Sequence, residues 1–105
     1  MEIYLANAMG DSVDDVSIHD IQKAIAGIQE MDDEHSAFWV SIVGKEETVL
    51  ETHNDLMVTG IFPLPGSGAE DIRKKQMKNW TEVEQLYALF LEQNFDAVKS
   101  MLSEP

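Results

Sequence analysis

Residues 37–62 read AFWVSIVGKEETVLETHNDLMVTGIF, and this stretch decides the fold. Ala37 to Val43 is apolar on both faces and rich in β-branched and aromatic residues, which predicts a central strand. Gly44-Lys45-Glu46 makes a turn. Glu47 to His53 then alternates, with Val49, Glu51 and His53 opposing Thr48, Leu50 and Thr52, the period of a strand. Asn54-Asp55 is a second turn, and Leu56 to Phe62 a third strand. The three form a meander, ended by the flexible loop Pro63-Leu64-Pro65-Gly66-Ser67-Gly68.

Toward the N-terminus, Glu2 to Ala8 reads as a short strand and Gly10 to Asp15 as an acidic loop. Ser17 is placed as a helix N-cap, with Asp20 in capping-box position and Val16 set to staple onto Ile21. Ile18, Ile21, Ala24, Ile25 and Ile28 share one helical face, so residues 18–30 form an amphipathic helix. Toward the C-terminus, 69–79 alternates poorly and is taken as a short helix. Thr81 and Glu84 suggest a second capping box, and Val83, Leu86, Tyr87, Phe90 and Leu91 form the buried stripe of the helix it opens. Asn94 ends that helix, and Phe95 to Leu102 forms a last one. Trp39 and Trp80 are assigned to the core. The order is β-α-β-β-β-α(-α), an α+β fold in which a small, mainly antiparallel sheet carries helices on one face. Residues 1–105 are expected to form a single compact domain.

Composition narrows the function. Leu, Ile, Val and Phe supply 28 of 105 residues, enough to fold despite a net charge of −13. The charge is lopsided: residues 1–69 hold thirteen acids and two bases (−11), residues 70–105 seven and five (−2). No cysteine is present, which removes disulfides and thiolate metal sites and fits a cytoplasmic setting. The N-terminus lacks the positive charge and apolar length of a signal peptide, and no stretch is long enough to span a membrane. Asn79-Trp80-Thr81 matches a glycosylation sequon, which without a secretory signal is an accident of spacing.

If the crossover after the first helix returns the chain parallel to the first strand, the acids collect at two rims of the sheet. Asp11, Asp14, Asp15, Glu46 and Glu47 gather on the first. Glu30, Asp32, Asp33, Glu34 and Asp55 gather on the second. The second places acids at a helix C-terminus, where the dipole opposes them by a few tenths to about 1 kcal/mol each. A local rule broken without compensation marks a functional surface, unless Asp32 to Glu34 lies solvated beyond the helix.

Chemistry-bearing motifs are sparse. His19, His35 and His53 are the three histidines. His35 could join Asp32, Asp33 and Glu34 around a cation, but the spacing matches neither a zinc pair nor a calcium loop, so no metal is assigned. Gly66-Ser67-Gly68 has no following Gly-Lys-Ser/Thr, and Glu70 and Asp71 would repel a phosphate. The serines lack a nucleophile elbow. Arg73-Lys74-Lys75 with Lys78 is a basic patch that −13 overrides, so no nucleic-acid binding is expected and pairing with the acidic half is preferred. No catalytic or cofactor-binding residue is assigned.

A compact acidic α+β domain without an enzyme motif, in which KNWTEVEQLYALFLEQNF places a Trp just before a capped terminal helix, resembles the immunity proteins of bacterial contact-dependent growth inhibition systems. That resemblance implies a cytoplasmic protein without cofactor that binds and neutralises a cognate toxin domain one-to-one. The partner would be a basic nuclease, an RNase ahead of a DNase, and no binding residue carries over by position. Independently of it, a nuclease cleft is electropositive, and Asp or Glu carboxylates can stand where phosphate oxygens would sit. The other classes are an acidic adaptor or nucleic-acid mimic with a basic partner, and a small His/carboxylate enzyme.

Overall fold

The computed structural model describes residues 2–7, 10, 12–30, 37–44, 47–63 and 69–103. Six strands, β1 (Glu2–Asn7), β2 (Ser12–Asp14), β3 (Ala37–Val43), β4 (Glu47–His53), β5 (Met57–Pro63) and β6 (Glu70–Gln76), form one sheet in the order β2-β1-β3-β4-β5-β6. Every pairing is antiparallel. Three helices, α1 (Ile18–Gln29), α2 (Trp80–Leu91) and α3 (Phe95–Ser103), complete the α+β architecture. The expected meander is present as β3, β4 and β5. The loop expected at 63–68 lies, from residue 64 on, outside the described residues.

All three helices cover the same face of the sheet. Leu5, Phe38, Val40, Ile42, Leu50, Val58 and Phe62 point inward from the strands. They meet Ile21, Ile25 and Ile28 of α1, Val83, Leu86, Tyr87 and Phe90 of α2, and Val98 and Leu102 of α3. Tyr87 is fully buried, with its ring 5.2 Å from that of Phe38. Its hydroxyl donates to the Leu50 carbonyl (3.0 Å) and accepts from the Thr52 hydroxyl (2.8 Å), fixing α2 to the middle of the sheet. Gly60 sits where α3 crosses β5. A Cβ there would lie 2.6 Å from the Phe62 ring and 2.7 Å from Leu102 Cδ1, both side chains being buried. Gly60→Ala should therefore cost about 1–3 kcal/mol by overpacking, read as a lower urea midpoint at unchanged m-value. An unchanged midpoint would show that α3 can shift without penalty.

Several expectations are corrected. Residues 69–79 contain strand β6 rather than a helix. Asp71, Arg73 and Lys75 of β6 are less exposed than their neighbours and lie on the helix side of the sheet. Arg73 is held by Asp71 (Nη2 to Oδ2, 3.0 Å) and donates to the Lys99 carbonyl and the Ser103 hydroxyl. Lys75 donates to the Met101 carbonyl (3.1 Å). Thus α3, which has no basic residue in its last turn, receives its C-terminal cations from the edge strand. Within the basic patch, Arg73 and Lys75 serve this contact, whereas Lys74 lies on the opposite face of the sheet. The cap of α2 is Asn79, whose side chain accepts from the Glu82 amide (2.8 Å), so the helix begins before Thr81. Glu84 accepts instead from Gln22 Nε2 (2.8 Å), joining α2 to α1. Asn94 follows α2 by two residues and opens α3, its side chain accepting from the Ala97 amide.

At α1 the sequence reading holds. Ser17 and Asp20 form the reciprocal capping box, with Ser17 N to Asp20 Oδ2 at 2.9 Å and Asp20 N to Ser17 Oγ at 3.4 Å. The bond from the Ser17 backbone, set against partial desolvation, holds the Asp20 carboxyl below its ordinary value of 3.8. A depressed carboxyl stabilises the fold above its unfolded pKa and loses that contribution as pH falls through the folded one. Amide protection factors, which remove the intrinsic pH dependence of exchange, should therefore fall in the first turn of α1 on acidification below the carboxylate range. Asp20→Ala should remove that pH dependence, whereas its persistence would assign the effect to other acids.

The short strand β2 changes the topology. It hairpins back along β1, with Ala6 opposite Ser12 and Tyr4 opposite Asp14, so the chain reverses before α1 begins. In consequence β3 returns antiparallel to β1, with Glu2 opposite Val43 and Asn7 opposite Phe38, not parallel as expected.

Candidate functional site

Strand side chains alternate between faces, so the register divides the sheet cleanly. With the helices on one side, no described element covers the opposite side, the bare face. Its central row runs Asp14, Tyr4, Ser41, Val49, Ile61, Ile72 from one edge to the other. The next row runs Ser12, Ala6, Trp39, Glu51, Thr59, Lys74. A third holds Glu2, Val43 and Glu47. Trp39 is half-buried and outside the core cluster, which corrects its assignment to the core; Trp80 does pack against that cluster. Ile72 is 56% exposed on the same face.

Near the middle of this bare face, Tyr4, Trp39, Ser41, Glu47, Val49 and Glu51 enclose an open depression of about 210 Å³. Ser41 is small, so its larger neighbours on either side stand as walls. Ser41 is 1% exposed, and its hydroxyl has no hydrogen-bond partner among the described residues. Of the other buried hydroxyls, Thr52 is satisfied by Tyr87, and Thr48 lies on the helix side. Leaving a buried hydroxyl unpaired costs about 1–3 kcal/mol. Glu51 accepts from His53 Nε2 (2.6 Å), both side chains about one-third exposed. The depression is thus aromatic on one side, carboxylate on the other, and has an unsatisfied polar group in its floor.

The acids assigned from sequence divide as follows. Asp14, Asp15 and Glu47 do lie at one end of the sheet, the end at which Glu2, Val43 and Gly44 also lie. They meet because β2 carries Asp14 and Asp15 back along β1, the Asp15 amide donating to the Ile3 carbonyl (3.0 Å). Asp15 turns the chain out of the strand with φ 53, a left-handed conformation that Asp tolerates. With Glu2 and Ile3, Asp14 and Asp15 line a second depression of about 350 Å³, while Glu47 lines the first. Asp14, Glu2, Glu47 and Glu51 all share the bare face with Tyr4 and Trp39. Glu30 caps the C-terminus of α1, and Asp55 sits in the β4–β5 turn. The Asp55 carboxylate accepts from the Met57 amide (3.0 Å) and its carbonyl accepts from Gln76 Nε2, so this acid builds its turn. Asp11, Asp32, Asp33, Glu34 and Glu46 lie outside the described residues, as does His35.

Sequence reasoning missed Tyr4, Trp39, Ser41, Glu2 and Glu51 as members of one surface. The available signal was the number of helices: three short ones can cover one side of the sheet, so the second apolar side of Ala37–Val43 had to face outward. Among the described residues, no group of three or more His, Asp or Glu is placed to hold a metal ion, and no helix is long and apolar enough to cross a membrane. Compared with protein-family models, with curated proteins and with solved structures, the chain shows no match.

Proposed function

We propose that this chain is a non-catalytic immunity protein that binds and neutralises a basic toxin domain in the cytoplasm. The toxin is a nuclease, an RNase ahead of a DNase, held one-to-one with its substrate cleft covered. The observation that supports this is the bare sheet face, on which Tyr4 and Trp39 stand among Asp14, Glu2, Glu47 and Glu51. Half-buried aromatic residues in a desolvating patch are the usual anchors of protein interfaces. Carboxylates around them select a cationic partner and speed its encounter. A strand platform backed by a packed helical layer changes little on binding, so ordering costs at the interface stay low.

The test is co-expression with the C-terminal domain of any large effector encoded beside this gene, together with titration calorimetry on the two purified proteins. Protection from the toxin and a single one-to-one binding event are expected. Protection that survives in a variant unable to form the complex would overturn the proposal, since it would require chemistry of the chain's own.

A further inference from the structure

We propose that the depression on the bare face is the seat of a partner arginine, its guanidinium lying against Trp39 and Tyr4 and donating to Glu47, Glu51 and the Ser41 hydroxyl. This rests on the reading of the chain as an inhibitor of a basic domain and names the group that the partner must supply. Four features of the depression converge on that group.

First, the walls are aromatic, and a cation over the face of a Trp or Tyr ring is attracted by the ring quadrupole. Second, two carboxylates border the same space. Glu47 and Glu51 lie two positions to either side of Val49 on one strand, and so project to the same face. The His53 contact occupies Oε1 of Glu51 and leaves Oε2 for a partner. Third, Ser41 is buried, belongs to the lining of the depression, and its hydroxyl has no hydrogen-bond partner among the described residues. An apolar occupant would strand this hydroxyl and desolvate both carboxylates without replacement, which disfavours it. Fourth, the depression is open and holds about 210 Å³, room for the head of one side chain. Arginine is planar, carries five donors in a fixed fork and stacks on aromatic faces, whereas lysine offers a compact, strongly hydrated point charge. Depression, aromatic walls, paired carboxylates and orphan hydroxyl together make an arginine seat with the remaining rim acids as its outer field.

The probe is acetyl-Gly-Arg-Gly-amide, titrated into the full-length wild-type chain. The readout is the Trp39 indole N–H resonance, assigned from the spectrum of Trp39→Phe. A saturable shift with a half-point in the millimolar range is expected. The lysine peptide should bind several-fold more weakly, and the citrulline peptide, which keeps the shape and loses the charge, should give no saturation. Glu47→Gln/Glu51→Gln should abolish the arginine response while the rest of the spectrum stays folded. Equal responses to all three peptides, or none to arginine, would overturn the seat.

With the purified toxin domain, Trp39→Ala should weaken binding about thirty-fold or more. Trp39→Leu, which keeps an apolar side chain but no aromatic face, should weaken it nearly as much. If the toxin domain binds wild type and both variants equally, the seat is wrong and the immunity reading stands. If arginine is discriminated but no toxin domain binds, the seat stands and the immunity reading falls.

Discussion

Tyr87→Ala should remove about 3–5 kcal/mol of folding free energy through lost packing alone, with a further penalty from the Thr52 hydroxyl left unpaired in the core. Tyr87 is fully buried against Phe38 and Phe90 and is the contact by which α2 reaches the centre of the sheet. Domains of this size have about 5–15 kcal/mol in total, so the variant should be largely unfolded well below the wild-type Tm. Tyr87→Phe separates the two contributions: it keeps the ring and should cost about 1–3 kcal/mol, the share of the hydroxyl network. Thermal or urea unfolding of both variants decides the matter. Equal stability of Tyr87→Phe and wild type would mean that the bonds to Leu50 and Thr52 contribute nothing net. Burial also pushes the Tyr87 phenol well above its ordinary value of 10.0, against the opposing hydrogen bond from Thr52. A raised folded pKa gives stability that is complete below the unfolded value and lost as pH rises beyond it. Wild type should therefore weaken above about pH 10, and Tyr87→Phe should lack that component.

The second large effect concerns the rim. Asp14→Asn/Asp15→Asn/Glu47→Gln should slow association with a basic toxin domain by about tenfold or more at low ionic strength. The wild-type and variant rates should converge as salt is raised. These three acids lie at the end of the sheet where β2, β1, β3 and β4 bring them beside the bare face, and no ion pair involving them is present among the described residues. Their removal should leave the Tm unchanged or slightly higher, because they repel one another more than they stabilise the fold. Stopped-flow association over a salt series is the measurement. Rates identical to wild type at every salt concentration would show that this charge does not steer the partner. The parallel variant Asp32→Asn/Asp33→Asn/Glu34→Gln compares the second group of acids expected from the sequence; a larger loss there would move the interface to those residues.

Local physics made much of the fold readable in the chain. The Ser17–Asp20 box spans three residues and needs no tertiary partner, so it was visible at once. The alternation in Glu47–His53 is a property of one strand and fixed its type, though not which side is buried. What failed depended on groups distant in sequence. Arg73 and Lys75 look like solvated charges until α3 presents the carbonyls of Lys99 and Met101, 26 residues further along. The three residues of β2 were too few to show periodicity, yet they reverse the chain and set β3 antiparallel to β1. Asp14, Asp15 and Glu47 were grouped correctly through an argument with the wrong strand direction, because that hidden reversal carries the first two acids back to the end where Glu47 starts. Trp39 was misplaced because a strand apolar on both sides reads as buried on both. Only the count of covering helices, a property of the whole molecule, shows that one side is left open.

The sheet order also sets a schedule for synthesis. Along β3-β4-β5-β6 each strand pairs with the one before it, and each such hairpin can close as soon as its second half appears. The exception is β1, whose second neighbour β3 lies beyond α1. At about 5–20 residues per second, the ribosome needs roughly 2–7 seconds to add the 36 residues between the end of β1 at Asn7 and the end of β3 at Val43. During that interval the N-terminal segment has only the short β2 hairpin to hold it. The nascent chain therefore waits with an unfilled edge on β1, and its final closure is the docking of an early-made strand onto a later-made one.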